Sequence, residues 1–259
     1  MTAAPLPLAL LASPHRTGDE LRQLASALGI PLVDNPQAAT LLLRFRPEGL
    51  ELSKPDDPLL PGALRADFAA QDFRRRLLHP GRELLVQAAR VRGCRQPLVI
   101  DATAGLGRDG FLLAAAGYRV RMIESNPVVA ALLADGLERA RRSPALAATA
   151  GRIDLTVGDA REHLPMLPEA PDVVFLDPMF PERTKSALVR QELRLLQLLD
   201  QKNRDADALL CAALAIPAKK IVVKRPLKAH PLAAMLPNYT RKGKAVRFDV
   251  YMGKGQISG

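Results

Sequence analysis

A glycine-rich turn after a short apolar run is the strongest chemical signal in this sequence. Residues 99–110 read Val-Ile-Asp-Ala-Thr-Ala-Gly-Leu-Gly-Arg-Asp-Gly, which predicts a strand ending at Asp101, a tight turn and the start of a helix. Glycines let the backbone approach a ligand where a Cβ atom would clash. The glycines from Gly105 onward fit GxGxxG, and Glu124 follows Gly105 by 19 residues, at the end of the next predicted strand. This spacing is typical of a nucleoside-containing cofactor whose ribose hydroxyls bind the acid.

The glycine turn alone does not distinguish a nicotinamide dinucleotide from S-adenosylmethionine, because both contain adenine and ribose. Two details favour the methyl donor, which has no phosphate. Asp101 can bind an amino-acid ammonium group but would repel a pyrophosphate. Arg108 and Asp109 place a side-chain acid where a phosphate would need the bare helix N-terminus. Asp159 and Ala160 end the third predicted strand, where the carboxylate can accept a hydrogen bond from the adenine amino group.

A second motif, Asp-Pro-Met-Phe-Pro at 177–181, follows directly on an apolar strand. Its two prolines restrict the backbone and fix the directions of the neighbouring side chains. Asp177 and the main-chain carbonyl of Pro178 can accept the two N–H bonds of an exocyclic amine, which directs the nitrogen lone pair at a methyl donor. Phe180 can stack on a base that has been drawn out of its helix. The motif therefore predicts methylation of a nucleobase amine.

Alternating strands and helices between residues 80 and 215 must position these motifs. The pattern predicts strands at 98–101, 119–124, 152–157 and 172–177. It predicts helices at 81–92, 109–116, 127–141 and 186–199. Two last strands, at 219–224 and 245–251, are expected on the same sheet. Repeated β-α units of this length favour an α/β fold with a parallel sheet and helices on both faces.

The first part of the chain predicts a small unit of its own. An apolar run at 6–12, an amphipathic stretch at 20–28 and an apolar run at 40–45 indicate a β-α-β arrangement, to which 49–52 adds a hairpin strand. The Pro-, Asp- and Gly-rich segment 54–62 is typical of a linker. We therefore expect an N-terminal α/β subdomain at 1–62 and the main domain at 63–259.

Composition excludes several classes of protein. The chain has 259 residues with ordinary globular composition, and no apolar stretch approaches the ~20 residues that span a bilayer. The apolar run at 6–12 has no basic residue before it, so it is interpreted as a strand and not as a signal peptide. The two cysteines and four histidines are scattered, which argues against a disulfide framework or a metal site and favours a cytoplasmic setting.

Positive charge is concentrated near the C-terminus, although the whole chain carries only +10. Residues 219–259 contain ten basic side chains and one acid, Asp249. Cations flank the last predicted strands, and others occur in earlier segments: Lys219, Lys220, Lys224, Arg225, Lys228, Arg241, Lys242, Lys244 and Arg247, with Arg74–Arg76, Arg183 and Lys185. Such asymmetry predicts a polyanionic partner. With no Trp and ten Phe and Tyr in all, shape and phosphate recognition is favoured over stacking of many bases.

Five segments together resemble one bacterial family, the small-subunit ribosomal RNA methyltransferases J. The segments are 101–109, 122–133, 176–181, 185–188 and 222–226. The resemblance covers roughly residues 65–251, and Met179 in place of a second proline is this family's variant of the amine-methyltransferase motif. The basic segment 74–82 departs from the glycine-rich loop expected there, so its role as an RNA contact or a cofactor lid stays open.

The resemblance implies a Rossmann-like class I methyltransferase fold that uses S-adenosylmethionine. It also implies methylation of N2 of one guanosine near the 3′ end of 16S ribosomal RNA, as free RNA or in the small ribosomal subunit. By similarity, several positions contact the cofactor: Arg108, Asp109, Glu124, Ser125, Asp159, Ala160 and Asp177.

Two other functions remain as alternatives at this point. GxGxxG and Glu124 also fit a nicotinamide-dependent oxidoreductase, but no His, Lys and Tyr constellation for hydride transfer is evident and the 177–181 motif is left unexplained. A non-catalytic RNA-binding protein on a methyltransferase scaffold would not need to keep both Glu124 and Asp177.

Overall fold

The computed structural model describes residues 6–55, 57, 62–178, 194–196, 198–199 and 205–255, and every structural statement below concerns these residues. They form two β-sheets, one of four strands and one of seven. Most of the helix predicted at 186–199 lies outside the described residues, although 194–196 and 198–199 are helical.

The four-stranded sheet is built from the N-terminal part of the chain. Its elements are β1 (Leu6–Leu11), α1 (Gly18–Leu28), β2 (Leu32–Val33), β3 (Ala39–Arg46) and β4 (Gly49–Ser53). The strand order is β2-β1-β3-β4, in which β1 is parallel to β2 and β3, and β4 pairs antiparallel with β3. The β-α-β arrangement and the hairpin predicted from the sequence are confirmed.

The seven-stranded sheet and its helices follow. Their elements are α2 (Gln71–Leu77), α3 (Leu84–Ala89), β5 (Leu98–Asp101), α4 (Arg108–Ala115), β6 (Arg119–Glu124), α5 (Pro127–Arg142), α6 (Ala147–Ala150), β7 (Ile153–Val157), α7 (Ala160–His163), β8 (Val173–Leu176), α8 (Ala206–Ala215), β9 (Lys220–Pro226), β10 (Tyr239–Lys242) and β11 (Val246–Met252). The order is β10-β11-β9-β8-β5-β6-β7. The five strands from β9 to β7 are parallel, whereas β11 is antiparallel to β9 and β10 is antiparallel to β11.

The central strands are apolar on both faces because helices cover both sides of the sheet. All four residues of β5 and of β8 are buried. One core cluster surrounds Phe111 of α4, whose ring stacks on Phe68 with centroids 4.2 Å apart. The other lies on the opposite face and includes Leu210 of α8. This packing fixes the directions of the strand ends that carry the chemical motifs.

Several observed elements differ from the predicted ones or were not predicted. The helix expected at 81–92 is the shorter α3, preceded by a 3-10 turn at Pro80–Arg82. The basic segment expected to be a loop contains the end of α2. The strand β10 was missed because its residues are largely exposed and show no apolar alternation.

The four-stranded sheet packs directly against α5 of the main domain. Leu50 of β4 and Leu132 of α5 belong to the same buried cluster. Across this interface, Oδ2 of Asp135 accepts hydrogen bonds from the Leu50 amide, at 3.0 Å, and from Nε of Arg139, at 2.8 Å. The division of the chain at residue 62 stays a prediction, since the two sheets share one cluster of apolar side chains.

Replacing Asp135 by alanine should lower the free energy of unfolding by about 2–3 kcal/mol, because the Leu50 amide and the Arg139 guanidinium both lose a partner at a partly buried interface. Urea unfolding monitored by circular dichroism measures the change. Glu138→Ala is the matched control, since that side chain is 51% exposed on the same helix and should matter by less than about 0.5 kcal/mol. Equal losses in the two variants would contradict the role given to Asp135.

Candidate active site

The candidate site lies at the carboxyl ends of the parallel strands. Four neighbouring strands, β7, β6, β5 and β8, end at the same edge of the sheet, and their last residues lead into the motifs found in the sequence. In doubly wound sheets this edge is where ligands bind. Asp101, Glu124 and Asp177 come from three of these strand ends. The structure therefore brings together the two motifs that the sequence keeps 76 residues apart.

Glu124 holds the glycine turn in place. Its Oε2 accepts a hydrogen bond from the Gly105 amide at 2.8 Å, and its Oε1 accepts one from the Asn126 amide at 2.8 Å. The turn needs glycine at Gly105, where φ is +55° and the backbone is left-handed. Glu124 is 2% exposed. Each carboxylate oxygen can accept a second hydrogen bond, so the predicted contact with ribose hydroxyls is compatible with this role and stays a prediction.

Asp101 is a buried acid at the tip of the central strand. Only 1% of its surface is exposed, and its Oδ1 accepts a hydrogen bond from the Thr103 amide at 3.3 Å. Burial, followed by the negative charge of Asp109, raises the pKa of Asp101 to about 8. The carboxyl group is therefore mostly protonated at neutral pH. A ligand ammonium group beside it would favour the ionised form.

The absence of a side chain at Gly110 leaves room for the carboxyl group of Asp101. A Cβ atom at Gly110 would lie 2.8 Å from Asp101 Oδ2 and 2.5 Å from the methyl carbon of Met122. Gly110 is in the first turns of α4, so the helix can start directly above the acid only because no side chain stands there. The glycines of the motif thus serve packing as well as ligand approach.

Lys224 on β9 joins two of the predicted site residues. Its ammonium Nζ donates to Oδ2 of Asp109 at 2.7 Å and to Oδ2 of Asp177 at 2.8 Å. Burial lowers the pKa of Lys224, but the two carboxylates raise it more, so its pKa lies above the ordinary value. From the sequence, Lys224 was expected among the cations that bind a polyanion at the surface. The structure corrects this, because the side chain is turned into the acidic site.

Arg225 was also expected among the surface cations, and it is 6% exposed. Its Nη2 donates to the carbonyl oxygen of His230. Arg247, another of these cations, is 9% exposed and forms a bidentate ion pair with Asp249. Both arginines therefore contribute to the interior of the β9–β11 region and not to an exposed basic surface.

The Asp-Pro turn is anchored to the glycine turn by Thr103. The Asp177 amide donates to Thr103 Oγ1 at 2.6 Å, and Pro178 is buried. Sequence reasoning missed Thr103, although its place inside the glycine motif and its hydroxyl group were available signals. Phe180 lies outside the described residues. Its stacking role stays a prediction.

Asp109 has two cationic neighbours. Besides Lys224, Arg76 of α2 lies 4.0 Å away, measured from Nη2 to Asp109 Oδ1. Arg76 also forms hydrogen bonds with both carboxylate oxygens of Glu83, at 3.1 and 3.0 Å. The segment around Arg76 is thus tied to the mouth of the site. Arg108, predicted with Asp109 to contact the cofactor, is half-buried at the start of α4.

The remaining predicted positions follow β6 and β7. Ser125 is half-buried directly after Glu124, and Ala160 is buried at the start of α7. Asp159 caps α7 by accepting the Arg161 amide at 2.9 Å, and it also pairs with the Arg161 side chain. Val157 at the end of β7 is 54% exposed, an apolar surface beside Asp159. The predicted contact of Asp159 with an adenine amino group is not tested by these contacts.

Within the described ranges, no three His, Cys, Asp or Glu side chains are grouped so that they could hold a metal ion. No helix among the described residues has the length and apolar character needed to cross a bilayer. Cys94 and Cys211 are both free thiols.

Replacing Asp101 by asparagine should change how stability depends on pH. The pKa of Asp101 rises from 3.8 to about 8 on folding, so the native state holds the extra proton between these values. The contribution of Asp101 to the unfolding free energy should therefore fall as pH rises from 4 to 8. Above pH 8, Asp101→Asn should be more stable than wild type by on the order of a few kcal/mol, and this advantage should vanish near pH 4.

Urea unfolding at pH 4, 7 and 9 measures this effect. Asp154→Asn is the control, because Asp154 is an exposed acid on β7. Parallel stability profiles for wild type and Asp101→Asn would contradict a buried protonated carboxyl group.

Comparison with known proteins identifies the family. The family model described as "Putative SAM-dependent methyltransferase" matches residues 23–253. The ribosomal RNA small subunit methyltransferase J of Thioalkalivibrio sulfidiphilus is 44% identical to this chain. The alignment covers 88% of this chain and 91% of that protein. The protein of the same name from Aeromonas salmonicida is 45% identical, and the alignment covers 94% of this chain and 96% of that protein.

A solved structure agrees with this assignment. The crystal structure of a SAM-dependent methyltransferase from Neisseria gonorrhoeae aligns with a TM-score of 0.73 and 32% identity, over 96% of this chain and 97% of that one. The class I methyltransferase fold and the use of S-adenosylmethionine are thereby confirmed, and the oxidoreductase and non-catalytic alternatives are not favoured. The chain belongs to the ribosomal RNA small subunit methyltransferase J family of S-adenosylmethionine-dependent methyltransferases.

Proposed function

We propose that this protein transfers a methyl group from S-adenosylmethionine to the exocyclic N2 of one guanosine near the 3′ end of 16S ribosomal RNA. The main support for this proposal is the position of the Asp177-Pro178 turn beside the acidic strand ends, where an amine can be held next to a cofactor. The names of the relatives support small-subunit ribosomal RNA as the substrate. The choice of N2 of guanine depends on the family resemblance.

The charges at the strand ends fit a cationic cofactor. Asp101, Asp109, Glu124 and Asp177 supply four carboxyl groups, and two cations, Lys224 and Arg76, lie beside Asp109. A pyrophosphate would meet repulsion from these acids. S-adenosylmethionine has an ammonium and a sulfonium group that the acids can attract, and no phosphate. When bound, it supplies a methyl group on a sulfonium, an excellent leaving group.

Among the cofactor contacts, Asp101 is proposed to bind the ammonium group and Glu124 the ribose hydroxyls. The position of both acids at the carboxyl ends of the neighbouring strands β5 and β6 supports these contacts. Six other residues predicted from the sequence are also proposed to contact the cofactor: Gly105, Arg108, Asp109, Ser125, Asp159 and Ala160.

Asp177 and the carbonyl of Pro178 have the catalytic roles. A planar guanine amino group is a poor nucleophile because its lone pair is delocalised into the ring. Two acceptors on its N–H bonds orient the nitrogen and favour tetrahedral geometry. With S-adenosylmethionine bound, these acceptors would hold the nitrogen facing the donor methyl group. The sulfonium would supply that methyl group and keep the electron pair of its broken C–S bond, and the Asp177 carboxylate would accept the proton released from the nitrogen. Phe180 is proposed to stack on the flipped base.

Lys224 is a positioning residue for Asp177. Because Nζ contacts Oδ2 of Asp177, it sets the plane of the carboxylate and with it the direction of Oδ1. Its ammonium group also lies between Asp177 and Asp109 and offsets the repulsion between the two acids.

Incubation of the purified protein with unmodified 16S ribosomal RNA and labelled S-adenosylmethionine tests the proposed function. We expect label on N2 of a single guanosine in the 3′ region, located by mass spectrometry of nuclease fragments. Asp177→Ala should lower the rate about 100-fold or more, because the acceptor for the amine is lost. Label on another atom or another region would overturn the proposed target, and undiminished turnover in Asp177→Ala would overturn its role.

Replacing Lys224 by methionine should lower kcat about 10- to 100-fold while leaving the KM for RNA nearly unchanged, because the charge acts on Asp177 and not on phosphates. Steady-state kinetics separate the two constants. Lys224→Arg should recover part of kcat, since a cation is restored. Lys242→Met is the control at an exposed lysine of β10. A raised KM with unchanged kcat would mean that Lys224 binds RNA directly.

A further inference from the structure

A wide basic cleft lies near the amino ends of the parallel strands, whereas the acidic site lies at their carboxyl ends. Its volume is about 1490 Å³, and its walls come from the end of α3, the segment before β5, the start of β9 and the edge strand β10. Six cationic side chains line it: Arg90, Arg92, Arg95, Lys219, Lys220 and Arg241. Among the residues that the structure describes, no Asp or Glu lines the cleft. The mechanism proposed above uses none of these cations.

Four of the six cations are exposed and have no ion-pair partner within the part of the chain that the structure describes. These are Arg90, Arg92, Arg95 and Arg241. Lys219 differs, since its Nζ lies 2.8 Å from Oδ1 of Asp172. Unpaired guanidinium groups around one opening create a positive potential that attracts a polyanion. Arginine suits this purpose because its planar group can bind phosphate through two donors.

Hydrogen bonds connect three of the residues that line the cleft. Lys220 Nζ donates to the Arg90 carbonyl at 2.5 Å and to the Tyr239 hydroxyl at 3.2 Å. These bonds join the end of α3, the start of β9 and the strand β10. Tyr239 and Arg241 are two residues apart on β10, so both side chains lie on the same face of the strand. Tyr239 is 37% exposed and offers one aromatic surface beside the cations.

We propose that this cleft binds the sugar–phosphate backbone of the RNA substrate at a point remote from the methylated base. The inference depends on the proposed function for the identity of the RNA. Lys220 and Lys224 are four residues apart on β9, so the cleft begins roughly 13 Å from the acidic site. The nucleotides bound there are therefore not the one that receives the methyl group.

The size and charge of the cleft favour RNA over a small anion or an acidic protein segment. Pockets for small ligands are usually about 300–1,000 Å³ and mainly apolar, whereas this one is larger, open and lined with cations. Spaced arginines with a single exposed tyrosine, Tyr239, match backbone recognition, in which phosphates supply most of the affinity and the bases few contacts.

The triple variant R92Q/R95Q/R241Q tests the proposal. Its control is R22Q/R46Q/R142Q, which removes the same formal charge from three exposed, ion-paired arginines on α1, β3 and α5. The Kd for unmodified 16S ribosomal RNA is measured at several salt concentrations. We expect the cleft variant to bind at least about 10-fold more weakly near 0.15 M salt. The slope of log K against log salt should fall by about 2–3, since each lost phosphate contact removes about 0.7–0.9.

The control should keep the wild-type slope, and both variants should bind S-adenosylmethionine like the wild type. In turnover, the cleft variant should show a raised KM for RNA with kcat unchanged. Equal Kd and equal slope in the cleft and control variants would overturn the proposal. Competition by polyglutamate as effective as competition by RNA of equal charge would also overturn it, in favour of an acidic protein.

The two proposals fail in different ways. If the wild type transfers no methyl group to the RNA, the proposed function fails. If the wild type methylates the RNA and the cleft variant binds it with unchanged affinity and salt dependence, only the cleft assignment fails.

Discussion

The ammonium group of Lys224 is the contact on which the geometry of the site depends. Asp109 opens a helix and Asp177 follows a strand, and without a cation between them their carboxylates would repel each other. Lys224 reaches both because β9 lies next to β8 in parallel register, with Val223 opposite Leu176. One side chain therefore joins the glycine turn, the Asp-Pro turn and the antiparallel end of the sheet.

Backbone groups complete this arrangement. The Glu124 carboxylate accepts the Gly105 and Asn126 amides, and Thr103 accepts the Asp177 amide, so both turns are tied to strand ends and not left as free loops. Such preorganisation matters for a reaction in which positioning supplies most of the catalysis. The N-terminal sheet adds support from a distance, since it packs on α5, the helix that starts just after Glu124.

Features that are local in the sequence were predicted, and contacts between distant segments were not. The β-α alternation gave β5 and β6 with their observed bounds, because buried parallel strands and capped helices leave strong local patterns. Lys224 was misassigned because its partners lie 115 and 47 residues away, and a lysine beside basic neighbours looks like a surface charge. The raised pKa of Asp101 depends on burial and on surrounding acids, which no sequence pattern records. The arginine cleft likewise combines α3, β9 and β10, which are far apart in the chain.

The edge position of β10 has a consequence for the solution behaviour of the protein. A terminal strand offers unpaired backbone groups to which a strand of another molecule can add. In β10 the adjacent residues Arg241 and Lys242 are both exposed, and their positive charges disfavour the approach of an identical strand. The positive charge on this strand therefore also opposes self-association through the sheet edge.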